Sequence, residues 1–149
     1  INFLTCTATN LRARLLPHKP IMLLCVIDLI EAGFIISNKI ELSEMLEERF
    51  KSNWKRYVKT DSVYKPAVGT PFWHLNYEPF WHLVPFEGGN EQIMALQKSN
   101  PYSLNLIRKH IKYAVIDKDL FDLLQDEPQR RLLSEVLIKS IESNNKAVF

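Results

Sequence analysis

Apolar residues cover most of the circumference of the first helix that the sequence predicts. Pro17 and Pro20 fit the first helical turn, where a missing N–H costs no hydrogen bond, and Gly33 fits the position that follows a helix end. The segment between them, IMLLCVIDLIEA, is apolar apart from two acidic side chains. This pattern is typical of a helix that is buried on several sides. We therefore predict a central core helix from about Pro17 to Ala32.

A second helix has a clear division into an apolar face and a charged face. Ser43 can cap its N-terminus, and Leu46, Phe50, Trp54 and Tyr57 follow at steps of three or four residues. The charged face carries acidic residues early and basic residues late, which the helix dipole favours. Its members are Glu44, Glu47, Glu48, Lys51, Lys55 and Arg56.

The tetrapeptide FWHL occurs twice, at Phe72–Leu75 and at Phe80–Leu83, around the turn signal Asn-Tyr-Glu-Pro. The two copies predict an antiparallel hairpin, in which strand alternation sends the two histidines to opposite faces. A zinc or iron site needs convergent ligands, so we expect neither a metal nor another cofactor here. One face is then expected to pack on the core, and the other face, or the entry at Thr70-Pro71, to meet a ligand.

The C-terminal third reads as helical. We predict helices over about Ser103–Tyr113, over Lys118–Leu124 behind the cap Asp117, and over Pro128–Glu142 behind the cap Asp126. Together with the aromatic hairpin, these elements predict a mostly helical α+β fold with a small antiparallel hairpin. We expect one domain over residues 1–149, because no linker or long repeat divides the chain.

Composition agrees with an ordinary globular domain, since 46% of the residues are apolar and 24% are charged. Cys6 and Cys25 lack a spacing typical of a disulfide or metal motif, which favours a reducing, cytoplasmic setting. The longest apolar run, Ile21–Ile36, contains charged residues and is too short to span a membrane, so no membrane partner is expected. The net charge of +2 does not by itself indicate a nucleic-acid ligand.

Motifs for catalysis are missing from the sequence. It has no glycine-rich phosphate loop, no G-x-S-x-G elbow and no His-Glu-x-x-His pair. We therefore expect no enzymatic activity from this chain itself.

Basic residues form three groups along the chain. The first is Arg12, Arg14, His18 and Lys19; the second is Lys51, Lys55, Arg56, Lys59 and Lys65; the third is Arg108, Lys109, His110 and Lys112. If the first two groups converge near Thr70-Pro71, they form a rim that can bind the phosphates of a nucleic acid. The opposing interpretation is that these residues are only solvated helix faces.

Two segments together resemble a known family. LLPHKPIMLLCVIDLIEAG, followed by PFWHL with its aromatic second copy, is similar to the sulfur-binding domain of McrA-type HNH restriction endonucleases, which attack phosphorothioate-modified DNA, and to related N-terminal domains of HNH nucleases. The closing DKDLFDLLQDEPQRRLLSEVLI is similar to the leucine-rich helix pair that ends such domains. The resemblance spans roughly Leu16 to Ile141.

The resemblance implies that a sulfur atom on the phosphate lies in a shallow apolar cavity with Pro71 in its wall and Thr70 and His74 beside it. His18 and Lys19 would then hold the DNA backbone. Sulfur is larger and less strongly hydrated than oxygen, so exchanging water for a proline ring and aliphatic stems favours sulfur. Members of the family carry an aromatic residue where this chain has Thr70, which predicts a smaller and more polar cavity wall.

We therefore expect a reader of phosphorothioate-modified double-stranded DNA in a bacterial restriction or defence system. The chain has no HNH signature, so a nuclease domain or subunit would act beside it. The residues expected to contact phosphates are Arg12, Arg14, Lys51, Lys55, Arg56 and Lys65. Three alternatives stay open: DNA binding without sulfur selectivity, a helical protein-interaction module with an exposed aromatic face, and a metal-dependent hydrolase with convergent histidines.

Overall fold

The computed structural model describes residues 16–60, 62, 65–98 and 103–147. Within these residues lie seven α-helices and one three-stranded antiparallel sheet, which confirms the mostly helical α+β class. In chain order the elements are α1 (His18–Glu31), β1 (Lys39–Ile40), α2 (Glu44–Tyr57), α3 (Gly69–His74), β2 (Trp81–Pro85), α4 (Asn90–Gln97), α5 (Leu104–His110), β3 (Ile111–Ile116), α6 (Lys118–Leu123) and α7 (Glu127–Ala147). A 3-10 turn, Leu75–Tyr77, follows α3 directly.

Helix α1 is the central core helix, as its apolar pattern predicts, and it packs against α2, α3 and α7. Gly33 follows its end with φ +83°, a conformation that favours glycine. The N–H of Gly33 donates to the carbonyl of Ile30 at 3.1 Å, and the N–H of Phe34 donates to the carbonyl of Leu29 at 2.9 Å. These two bonds form a Schellman motif, which satisfies carbonyls at the helix end.

Helix α2 begins where its cap predicts, because the Ser43 hydroxyl accepts from the N–H of Leu46 at 3.1 Å. On the predicted apolar face, Leu46, Phe50 and Trp54 are buried and Tyr57 is partly buried. A polar residue of the same helix, Asn53, is also buried, and its side-chain amide donates to Asp28 Oδ2 at 2.9 Å and to Cys25 Sγ at 3.3 Å. Because both acceptors are on α1, Asn53 joins the two helices inside the core.

The sheet has the strand order β1-β3-β2, with Lys39 opposite Val115 and Leu83 opposite Ala114. The predicted pairing of the two FWHL copies is therefore wrong. The first copy lies in α3 and its 3-10 turn. The second copy begins at Phe80, just before β2, and its last three residues lie in β2, which pairs with β3. A short apolar run has no periodicity that separates a buried helix from a buried strand, so its structure depends on tertiary packing.

The predicted helix Ser103–Tyr113 is also too long, because α5 ends at His110 and the chain continues directly into the central strand β3. The text IKYAVI is rich in β-branched and aromatic residues, a strand signal that the helix prediction overlooked. Helix α4 was not predicted.

The last two helices begin close to their predicted caps. Asp126 Oδ2 accepts from the N–H of Gln129 at 3.2 Å at the start of α7, and α7 extends beyond the predicted end at Glu142. Leu133, Leu137 and Ile141 are buried at steps of four residues. Among the described residues, no helix combines the length and apolar character needed to cross a membrane.

Candidate nucleic-acid interface

The N-terminal end of α1 lies beside the C-terminal end of α2. The rings of His18 and Trp54 are 4.7 Å apart between centroids, tilted by 50°. His18 Nε2 also lies 2.8 Å from the carbonyl oxygen of Lys65. Since that oxygen can only accept, Nε2 carries the proton. His18 thus holds α2 and the segment at Lys65 against the start of α1.

Burial lowers the pKa of His18 below its ordinary value, and the hydrogen bond to the Lys65 carbonyl opposes this effect only in part. His18 is therefore a neutral hydrogen-bonding group at neutral pH. It does not supply the positive charge that its place among the basic residues suggested.

Lys19 is held by an ion pair within the domain. Its Nζ lies 2.7 Å from Glu78 Oε2, and the two side chains are only 21% and 13% exposed. The pair connects α1 to the residue that follows the 3-10 turn. The charge of Lys19 is thereby compensated inside the protein, so any external anion would have to share or displace Glu78 to reach it.

His74 is the third predicted site residue at this location. It ends α3, is half-buried, and its ring meets the Tyr77 ring edge-on with centroids 5.7 Å apart. Its pKa is lowered first by burial, then by the positive charge of Lys19, and then by that of His18 in its protonated form. The contacts place Lys19 at the same segment, because its partner Glu78 donates its N–H at 2.9 Å to the carbonyl of Leu75, the residue after His74. His18 precedes Lys19 in α1, so the two histidines and Lys19 belong to one region of the surface.

Thr70 and Pro71 occupy the first turn of α3. Pro71 is buried and Thr70 is half-buried. Pro71 therefore shows little of its ring at the surface, and the more accessible of the two side chains is the polar one.

Three exposed cations come from the segments that contact His18: Lys55 and Arg56 follow Trp54 in α2, and Lys65 supplies the carbonyl that bonds to His18. Lys55, Arg56 and Lys65 are exposed, and the Arg56 guanidinium lies 5.3 Å from the centroid of the Tyr57 ring. Lys51 is exposed as well but pairs with Glu47 at 3.3 Å. The predicted phosphate contacts Arg12 and Arg14 fall outside the described residues.

One residue of the third basic group, Arg108, has a structural role. Arg108 donates to the carbonyl of Leu42 at 2.8 Å and to Glu47 Oε1 at 3.3 Å, so it joins α5 to the start of α2. It is a structural residue and not a free cation.

The FWHL copies also led to two other hypotheses, an exposed aromatic face and a metal site. Phe72, Trp73, Phe80 and Trp81 are at most 3% exposed, so these four rings form no exposed aromatic face. Among the residues that the structure describes, no group of three His, Cys, Asp or Glu side chains could hold a metal ion. His82 instead lies 2.7 Å from Asp117.

Trp54 and Glu78 are the site residues that sequence reasoning missed. The apolar period of α2 predicts Trp54 on its core face, and nothing in the sequence indicates that the ring also reaches His18. The sequence predicts Glu78 only as part of a turn. No known family model matches the chain, and a search of curated proteins finds no match either.

Proposed function

We propose that this domain binds the backbone of double-stranded DNA with the surface around the start of α1 and reads a phosphorothioate there. The observation that carries the proposal is the convergence of the neighbours His18 and Lys19, at the start of α1, with His74 of α3, which lies far from them in the sequence. These are three of the five residues that the family resemblance assigns to the sulfur and its phosphate.

The chemistry of this cluster supports a preference for sulfur over oxygen. Burial lowers the pKa of both imidazoles and so favours their neutral forms at pH 7, Lys19 is compensated by Glu78, and the rings of Trp54 and Tyr77 lie beside the histidines. A phosphate oxygen placed in such surroundings loses hydrogen bonds to water that few groups replace, whereas sulfur loses less. Selectivity then arises from desolvation.

The exposed cations Lys55, Arg56 and Lys65 supply the part of the DNA affinity that does not depend on the phosphorothioate. Each of them can neutralise one phosphate. Each such contact is expected to contribute about 0.9 to the slope of log affinity against log salt. Binding of either kind of DNA should therefore weaken as salt rises.

We assign no catalytic step to the described residues. The domain would act as the reading part of a restriction or defence system, and cleavage would come from an HNH nuclease domain or subunit.

Fluorescence anisotropy with two matched duplexes tests the proposal, one of them carrying a single phosphorothioate. We expect tighter binding to the modified duplex. Lys55→Ala and Lys65→Ala should weaken both complexes equally and reduce the salt slope by about one each. His74→Ala should reduce the ratio between the two affinities. Lys112→Ala removes the same charge beside the far end of α1, and both affinities should stay unchanged.

Two results would count against the proposal at different levels. Equal affinity for the two duplexes removes sulfur recognition and leaves backbone binding. The absence of salt-sensitive binding to either duplex removes the nucleic-acid function altogether.

A further inference from the structure

A second surface lies at the opposite end of α1. Phe34, Ile36 and Met45 are 62%, 83% and 42% exposed, although each is a large apolar side chain. We refer to these three residues as the Phe34 patch. Such side chains are unremarkable when scattered singly, but grouped apolar exposure marks an interaction site.

Two surface depressions flank the patch. One has a volume of about 650 Å³ and the other about 620 Å³, and both are lined by Leu29, Phe34 and Met45. The shared residues form the ridge between the depressions. Each depression is therefore open on its own side of the Phe34 patch.

The two depressions carry charges of opposite sign. The first is lined by Asp28, Glu31 and Glu48 against the single cation Arg49, which pairs with Asp28 at 3.0 Å. Asp28 and Arg49 neutralise each other, so the net charge of this depression is negative and comes from two exposed carboxylates. We refer to Glu31 and Glu48 as the acidic edge.

The second depression is lined by Lys39 and Lys112 against the single carboxylate Glu41. The two ammonium groups lie 5.3 Å and 5.7 Å from the centroid of the Tyr113 ring. Cation–π attraction to one ring keeps the two lysines close together. We refer to Lys39 and Lys112 as the basic edge.

We propose that a second copy of this chain docks on the Phe34 patch to form a two-fold symmetric dimer. The two-fold axis lies in the plane of the interface and is perpendicular to the line that joins the two edges. Rotation about this axis brings the acidic edge of each copy against the basic edge of its partner. The apolar ridges meet at the centre. A surface with an apolar centre and opposite charges on its two sides is complementary to itself under this rotation.

Charge distinguishes a second copy from other occupants. A nucleic acid would meet the carboxylates of the acidic edge, and a partner of uniform charge would be repelled by one of the two edges. The dimer surface also leaves the proposed DNA-binding surface accessible. Helix α1 has 14 residues and separates the two surfaces by roughly 20 Å. The two proposals can therefore fail independently.

Sedimentation equilibrium from micromolar to millimolar protein tests the dimer. We expect the wild-type chain to self-associate within this range. Phe34→Asp, which places a carboxylate on the ridge of both copies, should leave a monomer. A wild-type chain that stays monomeric at the highest concentration overturns the proposal.

Reciprocal charge reversal tests the arrangement. Glu31→Lys with Glu48→Lys makes both edges positive, and Lys39→Glu with Lys112→Glu makes both edges negative. Each double variant alone should be monomeric, because like charges then face each other on both sides of the axis. An equimolar mixture should form a heterodimer, because every edge then meets the opposite charge.

The mixture also guards against misfolding, since two damaged proteins would not restore each other. Circular dichroism of each double variant should match the wild type because all four side chains are exposed. Heterodimer formation supports the proposed geometry. Wild-type self-association that persists in both double variants shows another interface and overturns it, as does a mixture that stays monomeric.

Discussion

Lys19 Nζ and Glu78 Oε2 lie 2.7 Å apart, although 59 positions separate the two residues in the chain. This ion pair fixes the segment after α3 against the start of α1. Because both side chains are mostly buried, removing one partner leaves the other charge poorly solvated. The pair also keeps a positive charge close to His74, where it acts on the titration of the imidazole.

Lys19→Met should raise the pKa of His74. Burial is the largest cause of the lowered pKa and persists in the variant, whereas the repulsion from the ammonium is lost, so the rise should be partial. A pH titration followed by NMR of the imidazole ring measures it, with His74→Asn used to assign the signal. Lys112→Met, which removes a lysine beside the other end of α1, should leave the His74 titration unchanged. A His74 pKa that stays constant or falls in Lys19→Met contradicts the prediction.

Stability should fall when the pH drops below about 6.5. The pKa values of His18 and His74 are lowered from their ordinary value of 6.5 in the folded chain. The unfolded chain therefore binds protons first, and the free energy of unfolding decreases as the pH falls from 6.5 towards the folded pKa values. Above about pH 7.5 the two groups are deprotonated in both states and contribute no pH dependence. Urea denaturation across this window measures the effect.

A matched variant isolates the histidine contribution from that of the carboxylates. His74→Asn removes one of the two titrating groups, so its stability should depend less steeply on pH between 6.5 and the onset of carboxylate titration. An unchanged slope would show that His74 takes up its proton equally well in both states.

Signals contained within one element predicted the fold best. Helices α1 and α2 were found from an apolar period, a serine cap and a glycine after the helix end, all of which act through local backbone geometry. The capping bond of Ser43 and the positive φ of Gly33 are the physical features behind those signals.

The FWHL copies show why other parts could not be predicted. Two identical tetrapeptides adopt a helix and a strand, because the second copy pairs with β3, which begins about 30 residues later. Neither copy contains information about that partner. The Lys19–Glu78 pair and the His18–Trp54 contact depend on the same long-range packing. The sequence therefore predicts His18 and Lys19 as site residues, but it does not predict that Trp54 and Glu78 hold them in place.

Trp81 should be important for folding and not only for binding. Its ring is fully buried, packs edge-on against Phe72 with centroids 5.5 Å apart, and donates from Nε1 to the Phe72 carbonyl at 3.0 Å. Trp81→Ala should cost about 3–5 kcal/mol of unfolding free energy. Trp81→Phe keeps most of the packing but leaves that carbonyl without its donor, at a cost of about 1–3 kcal/mol for the lost hydrogen bond.

Urea denaturation followed by circular dichroism measures both Trp81 variants. Phe86→Ala is the matched aromatic control, because the Phe86 ring is 57% exposed and its loss should change stability by no more than about 0.5 kcal/mol. A Trp81→Ala protein as stable as the Phe86→Ala control would contradict the buried position of Trp81.

Cys25 should resist alkylation as long as the chain stays folded. Burial raises the pKa of its thiol to about 12, and the hydrogen bond from Asn53 offsets only part of that effect. The reactive thiolate is therefore almost absent at mildly alkaline pH.

In a Cys6→Ser background, iodoacetamide should modify Cys25 only through unfolded molecules. Asn53→Ala should accelerate the reaction, because losing the buried amide destabilises the native state by about 1–3 kcal/mol. Mass spectrometry gives the rate, which should follow the unfolded population as urea is added; alkylation that is fast without urea would show that the thiol is accessible in the folded chain.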